Sequence, residues 1–235
     1  MSIEKNIATI RENIRKAAIA AGRAPNEILL CAATKMNNAD AVKQAILSGV
    51  DCCGENRVQE LTVKLKENAY AGAPVHFIGH LQTNKVRMVV GKVDLIQSVD
   101  SLRLLDAIDK EAKKQGIQQS VLLEINVGNE ASKTGFLLTE IQGILPKISE
   151  FRNIFVKGLM AIPPISAKQG ENCNFFQKMY QLSVDITRKK YDNIDVEILS
   201  MGMSDDYEDA IACGSTMIRI GTAIFGARDY GTSHQ

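Results

Sequence analysis

One alternation limits what this chain can fold into more than any other feature. Short apolar runs, each followed by a turn and an amphipathic stretch of some ten to seventeen residues, recur about eight times. The runs are "ILLCAATK" (28–35), "VDCCGE" (50–55), "VHFIGH" (75–80), "VDLIQSV" (93–99), "VLLEINV" (121–127), "FVKGLMA" (155–161), "VEILSMG" (196–202) and "TMIRIG" (216–221). Several are apolar at consecutive positions, as in parallel strands covered on both faces. Between them the apolar spacing is helical. Leu102, Leu105 and Ala112 make one face, closed by Gly116 as a C-cap, and Phe175, Met179, Leu182 and Ile186 make another. The pattern predicts an α/β fold, a single (β/α)8 TIM-like barrel. The competing doubly wound open sheet lacks a GxGxxG turn after its first strand.

Ahead of the barrel, Ile3, Ile7, Ile10 and Ile14 fall on one face at helical spacing, so residues 1–25 are expected to hold an extra N-terminal helix. No linker or low-complexity tract divides the chain. The 235 residues are therefore expected to form one domain, 1–235, with the barrel over 28–228. With 28 basic against 27 acidic residues, the charge balance argues against nucleic-acid or anionic-membrane binding. No apolar stretch reaches the roughly 18 residues of a membrane span. Five cysteines without a CxxC pair, and three scattered histidines, suggest a reducing, cytoplasmic setting and no metal site. The expected state is a monomer.

Barrel chemistry belongs at the C-terminal ends of the strands. Those ends carry Lys35, Glu55, Asn56, Arg57, His80, Ser98, Asn126, Met160, Ser200 and Arg219. Lys35 ends an apolar run. It either points into water or presents an amine at a site, and a desolvated, neutral amine is a nucleophile for aldehydes. Arg219 lies between Ile218 and Ile220, so alternation sends it to the opposite side, toward the lumen. It is either paired with a carboxylate such as Glu55 or aimed at a ligand. After the seventh and eighth runs come Ser200, Gly202, Ser204, Gly221 and Thr222. Ser204 reads as the N-cap of a helix running to about Cys213, closed by Gly214. The same turns could hold a phosphate, provided Asp205 and Asp206 face outward. A lysine that traps aldehydes, an arginine in the lumen and a phosphate cradle are together what pyridoxal 5'-phosphate (PLP) requires.

The blocks "ATK", "GENRVQE", "HFIGHLQTNK", "INVGNEASKTGF", "GLMAIPP" and "LSMGMSDDYEDAI…GSTMIRIGTAIFG", in this order over nearly the whole chain, resemble the pyridoxal-phosphate homeostasis protein family (YggS/PROSC type; alanine racemase N-terminal-domain-like). The resemblance implies a PLP-binding barrel with Lys35 as the Schiff-base lysine and Arg219 facing the pyridine nitrogen. It also implies Ser200, Ser204, Gly221 and Thr222 in the phosphate-binding segments, and Asn56 lining the cofactor. One departure is "ATKMNN", where the family often has a proline shortly after the lysine.

An arginine donates a hydrogen bond to the ring nitrogen without protonating it, which weakens the ring as an electron sink. Two-base racemisation also needs a second acid/base, which alanine racemase takes from an additional β domain. Only "DYGTSHQ" follows Arg228, so no such domain is expected, and nothing in the sequence places Tyr207 or His80 in that role. The expected function is a carrier or buffer of PLP in vitamin B6 homeostasis, with PLP-dependent apo-enzymes as recipients. A racemase-like PLP enzyme acting on amino acids and a cofactor-free Schiff-base aldolase are the alternatives. The stretch "PPISAKQGEN" (163–172) is expected to gate release.

Overall fold

The computed structural model describes residues 2–164 and 170–226. Among the described residues nine strands are found: β1 Leu29–Ala33, β2 Cys52–Glu55, β3 Val75–Phe77, β4 Leu95–Val99, β5 Gln119–Asn126, β6 Phe136–Leu137, β7 Ile154–Ala161, β8 Ile194–Ser200 and β9 Met217–Ile220. All pair in parallel. β1 bonds both β2 and β9, β4 bonds β5, and β5 bonds β7, so eight strands close into a TIM barrel. The short β6 lies alongside the end of β5, through Ile125↔Phe136, and takes no part in the closure. All eight apolar runs hold a barrel strand. β6 had no signal, since two residues carry no periodicity.

The helices are α1 Ile3–Ala20, α2 Ala39–Leu47, α3 Val58–Lys66, α4 Leu102–Gln115, α5 Ile141–Ile148, α6 Cys173–Thr187, α7 Tyr207–Ala212 and α8 Thr222–Phe225. A 3-10 segment, Thr83–Met88, stands where the third barrel helix would be. In α4, Gly116 adopts the left-handed conformation (φ 69°) and caps the helix as expected. In α6 the inner face is Phe176, Met179, Leu182 and Ile186; Phe175 is only partly buried. A spacing of three from Phe176 to Met179 serves the helix as well as the four from Phe175, and local spacing does not separate them.

The extra helix has a physical reason. α7 and α8 span six and four residues and are too short to cover the outer face of β9 and β1. Ile7, Ile10, Ile14 and Ala18 of α1 pack there against Leu30, Ala32, Ile218, Ile220, Tyr207 and Ile224. Each buried isoleucine contributes about 1.5–3 kcal/mol. Polar anchors fix the helix: Asn6 Nδ2 donates to the Ile224 carbonyl at 2.8 Å, and Arg11 pairs with Asp51 at 2.7 Å. Asp51 in turn accepts from the amide of Leu30, which ties α1 to the first barrel strand.

Candidate functional site

Strand parity decides what enters the lumen. Ile218 and Ile220 face outward under α1, and Arg219 between them faces inward. Arg219 is 5% exposed. Its Nη1 donates to the Ser200 hydroxyl (2.6 Å) and carbonyl (2.8 Å), and its Nη2 to the Ala161 carbonyl (2.9 Å). All three acceptors are neutral. Burial disfavours the guanidinium charge, and among the described residues no carboxylate pairs with it. The Nε–H and one Nη2–H have no protein acceptor there either, so two of its five donors remain for a ligand.

Glu55, considered as a partner for Arg219, is instead held outside the barrel by α3. Its Oε1 accepts from Lys64 Nζ at 2.6 Å and from the hydroxyl of Thr34. The parity of β2 explains this: Cys53 and Glu55 face outward, whereas Cys52 and Gly54 face the lumen. The same α3 grips the backbone on both sides of Lys35. Lys64 Nζ donates to the Thr34 carbonyl at 2.7 Å, and the amide of Met36 donates to Glu60 Oε2 at 2.6 Å. Met36 is left-handed (φ 63°), a conformation that costs a non-glycine residue about 1–2 kcal/mol. The strained turn presents Lys35, half-buried, just past the end of β1.

Two further residues join this rim. Asn56 follows β2, and its Oδ1 is buried without a hydrogen-bond partner, an arrangement that calls for an outside donor. Gly79 makes this packing possible, since a Cβ there would lie 2.1 Å from the Asn56 carbonyl. Gly221 ends β9 against Ala33, where an added Cβ would sit 3.4 Å from the Ala33 side chain, two residues before Lys35. Thr222 opens α8 and is exposed; the amides of Ile224 and Phe225 return to the Gly221 carbonyl, which leaves those of Thr222 and Ala223 without an acceptor in the helix. Lys35, Asn56, Gly221 and Thr222 therefore end adjacent strands, β1, β2 and β9, on one side of the mouth.

Two residues differ from expectation. Ser204 does not cap α7. The helix starts three residues later, and Asp206 organises the turn by accepting from the Met203 amide (2.7 Å) and from Asn172 Nδ2 (2.8 Å). An aspartate within the turn outcompetes the serine as acceptor, and its carboxylate is thereby engaged with Met203 and Asn172. Ser200 is fully buried. Its hydroxyl accepts from Arg219 and donates to Gln97 Oε1 at 2.7 Å, so it seats the arginine. Tyr207 is locked under α1 by Asn13 at 3.0 Å, away from the mouth. His80 is exposed and pairs with Asp100 at 3.2 Å, beside a cleft of about 510 Å3 lined in part by Thr83, Arg103 and Thr134. Asn126 holds the β5–β6 loop through Glu130 and Lys133. Positions 165–169 of the expected gating stretch, and Arg228, lie outside the described residues.

The sequence signalled no metal-binding group, yet strand register brings Cys31, Cys52 and His76 together inside the barrel. Their ligand atoms all lie within 4.8 Å of one another. Cys31 and Cys52 are direct cross-strand partners. The hydrogen bond between the two thiols, aided by His76 and Arg219, lowers the Cys31 pKa to about 6 and raises that of Cys52. Reading lumen parity across three strands at once would have found the group.

A model of the alanine racemase N-terminal-domain family matches residues 6–229. The chain is 40% identical over 231 residues to the pyridoxal phosphate homeostasis protein of Escherichia coli (strain K12), covering 97% of each. A structure of PipY from Synechococcus elongatus PCC7942 with PLP bound superposes with a TM-score of 0.82 at 30% identity, over 96% of this chain and 100% of that one. Alanine racemase of Clostridium difficile 630 shares the fold at TM-score 0.67 and 17% identity, with 97% of this chain matching 58% of that enzyme.

Proposed function

We propose, for a chain that belongs to the alanine racemase N-terminal-domain family and within it to the pyridoxal phosphate homeostasis proteins, that it is a single-domain PLP-binding barrel that carries and buffers the cofactor. PLP is held as a Schiff base on Lys35. The observation that carries this reading is the buried Arg219, a cation with two unused donors and no paired carboxylate among the described residues, on the strand beside the one that ends at the Lys35 turn. The orphaned Asn56 Oδ1 is a second buried group that calls for a partner from outside the protein.

Each residue then has a part. Glu60 and Lys64 hold the turn that presents Lys35. The Gly221–Thr222 turn, with Ser204 beyond it, offers N–H and hydroxyl donors to the phosphate. Asn56 lines the cofactor. Arg219 would donate to the ring nitrogen and, since a guanidinium holds its proton far more tightly than a pyridinium does, would leave that nitrogen unprotonated. Ser200 fixes the guanidinium in place. Bound PLP supplies an aldehyde for imine exchange and, in such a setting, a poor electron sink.

Carriage is favoured over amino-acid chemistry because Tyr207 is tied to Asn13 beneath α1, where it meets no substrate. Relatives matched along nearly their whole length carry a homeostasis name. PLP-dependent apo-enzymes are the proposed recipients. The deciding experiment incubates the PLP-loaded protein first with L-alanine and other amino acids, then with a PLP-dependent apo-enzyme. A carrier yields activation of the apo-enzyme and no D-amino acid or decarboxylation product. Steady inversion of an amino acid would replace this reading with a racemase.

A further inference from the structure

Below Arg219 the lumen holds a group that cofactor binding does not use. Cys31, Cys52 and His76 are 0%, 2% and 7% exposed, and Met217, fully buried, packs against both thiols. These are four soft or borderline ligands from β1, β2, β3 and β9. Nothing in the packing requires two thiols and an imidazole here; the facing positions Leu95, Leu122 and Met160 close the other half of the lumen with hydrocarbon and a thioether.

The hydrogen-bond polarity of the lumen orients the imidazole. Arg219 can only donate, so the Ser200 hydroxyl accepts from it and gives its own proton to Gln97 Oε1. That fixes the Gln97 amide, whose Nε2 then points at His76 Nδ1 (2.9 Å) and Met217 Sδ (3.2 Å). His76 Nδ1 must therefore carry a lone pair. It faces Cys52 Sγ at 3.5 Å. A tetrahedral site with metal–sulfur bonds near 2.3 Å and metal–nitrogen bonds near 2.0 Å has an S···N edge of about 3.5 Å and an S···S edge of about 3.8 Å. The Cys52–His76 separation already matches the first value, and all three ligand atoms lie within 4.8 Å of one another. The Gln97 amide hydrogens occupy the place between imidazole and thioether at which such an ion would sit.

We propose that Cys31, Cys52 and His76, with Met217 as a fourth soft contact, form a binding site for a thiophilic d10 metal ion, copper(I) or zinc(II). Thiolate and thioether donors select these ions over magnesium, calcium or manganese. On binding, two S–H bonds break, two metal–sulfur bonds form, and two protons leave to solvent. With zinc(II) the group is neutral; with copper(I) it carries one negative charge facing the Arg219 guanidinium. Entry is from the floor of the barrel. Ile198 packs against both lumenal apolar groups yet is partly exposed, which makes it the side chain an entering ion would pass. Binding displaces the Gln97 amide from His76 Nδ1 and Met217 Sδ, and the bonds from Gln97 through Ser200 connect this floor to Arg219.

The test uses the reduced full chain, titrated with zinc(II) and, without oxygen, with copper(I), each against a chromophoric chelator. One equivalent of at least one ion should be taken from the chelator, and the arm that succeeds identifies the ion. Cys52→Ala should weaken uptake by more than the roughly 100-fold that loss of an outer contact costs. Cys173→Ser, on a partly buried thiol outside the group, should leave it unchanged. X-ray absorption on the loaded wild type, which needs no variant to fold, should show two sulfurs near 2.3 Å and an imidazole nitrogen near 2.0 Å. The proposal is overturned if neither ion is bound, if Cys52→Ala binds as the wild type does, or if the absorption spectrum lacks sulfur.

Discussion

Two buried cations flank the mouth of this barrel and have opposite surroundings. Lys64, on α3, meets the carboxylate of Glu55 at 2.6 Å and the Thr34 carbonyl at 2.7 Å. Arg219, on β9, meets one hydroxyl and two carbonyls, all neutral. Both charges are out of water, where an ion is costly unless it is paired. Lys64 is neutralised within the protein and serves the fold, steadying the turn that carries Lys35. Arg219 keeps its charge and two donors in reserve, which is the mark of a group whose partner arrives from outside. Burial alone distinguishes neither; the partner list does.

The largest effect expected from breaking that comparison is on stability. Lys64→Met leaves Glu55 buried without its counter-ion and should cost about 3–5 kcal/mol in urea unfolding, whereas Arg219→Met should cost about 2 kcal/mol. Equal losses would erase the distinction. Ligand response should run the other way. Added PLP should raise the thermal midpoint of the wild type, should still raise that of Lys64→Met, though by less because the Lys35 turn is loosened, and should do so least for Arg219→Met. A full PLP shift in Arg219→Met would place the ring elsewhere.

These two residues also show what was legible in the sequence. Alternation within "TMIRIG" was enough to send Arg219 inward, because the period of two is a local property of a strand. The eight strands and the N-terminal helix were legible for the same reason. The partner of Glu55 was not, since it depends on how α3 lies over β1 and β2. Nor was the Cys31–Cys52–His76 group, which exists only through the register of three strands distant in the chain. Ser200 was read as following the seventh strand, whereas it is the last residue of β8, and its bonds to Arg219 and Gln97 belong to the closed barrel. The start of α7 was misplaced because two hydrogen-bond acceptors, Ser204 and Asp206, compete within three residues, and the structure selects the aspartate.

A smaller effect sharpens the Arg219 side. Ser200→Ala leaves Gln97 and one guanidinium N–H short of a buried partner and should cost about 1–2 kcal/mol. It should also loosen the arginine, so the spectrum of bound PLP should change less than in Arg219→Met. An unchanged spectrum would mean that Ser200 does not seat the arginine.

The smallest effect concerns Glu124, whose pKa burial pushes above the usual 4.5, with Asp100 adding to the rise and Arg219 opposing it. A carboxylate with a raised folded-state pKa binds its proton more tightly when folded. It therefore lowers stability as pH climbs from about 4.5 through its raised range. Glu124→Gln should remove that decline, and in Arg219→Met the decline should extend to higher pH. Identical pH profiles for wild type and Glu124→Gln would show that the carboxyl is solvated.

The central claim is that Lys35 is the residue that holds the cofactor. Borohydride reduction of the PLP-loaded protein, followed by peptide mass spectrometry, tests it most directly. One phosphopyridoxyl adduct, on Lys35 and absent from Lys35→Ala, is the predicted result. An adduct confined to another lysine, or none, would contradict it.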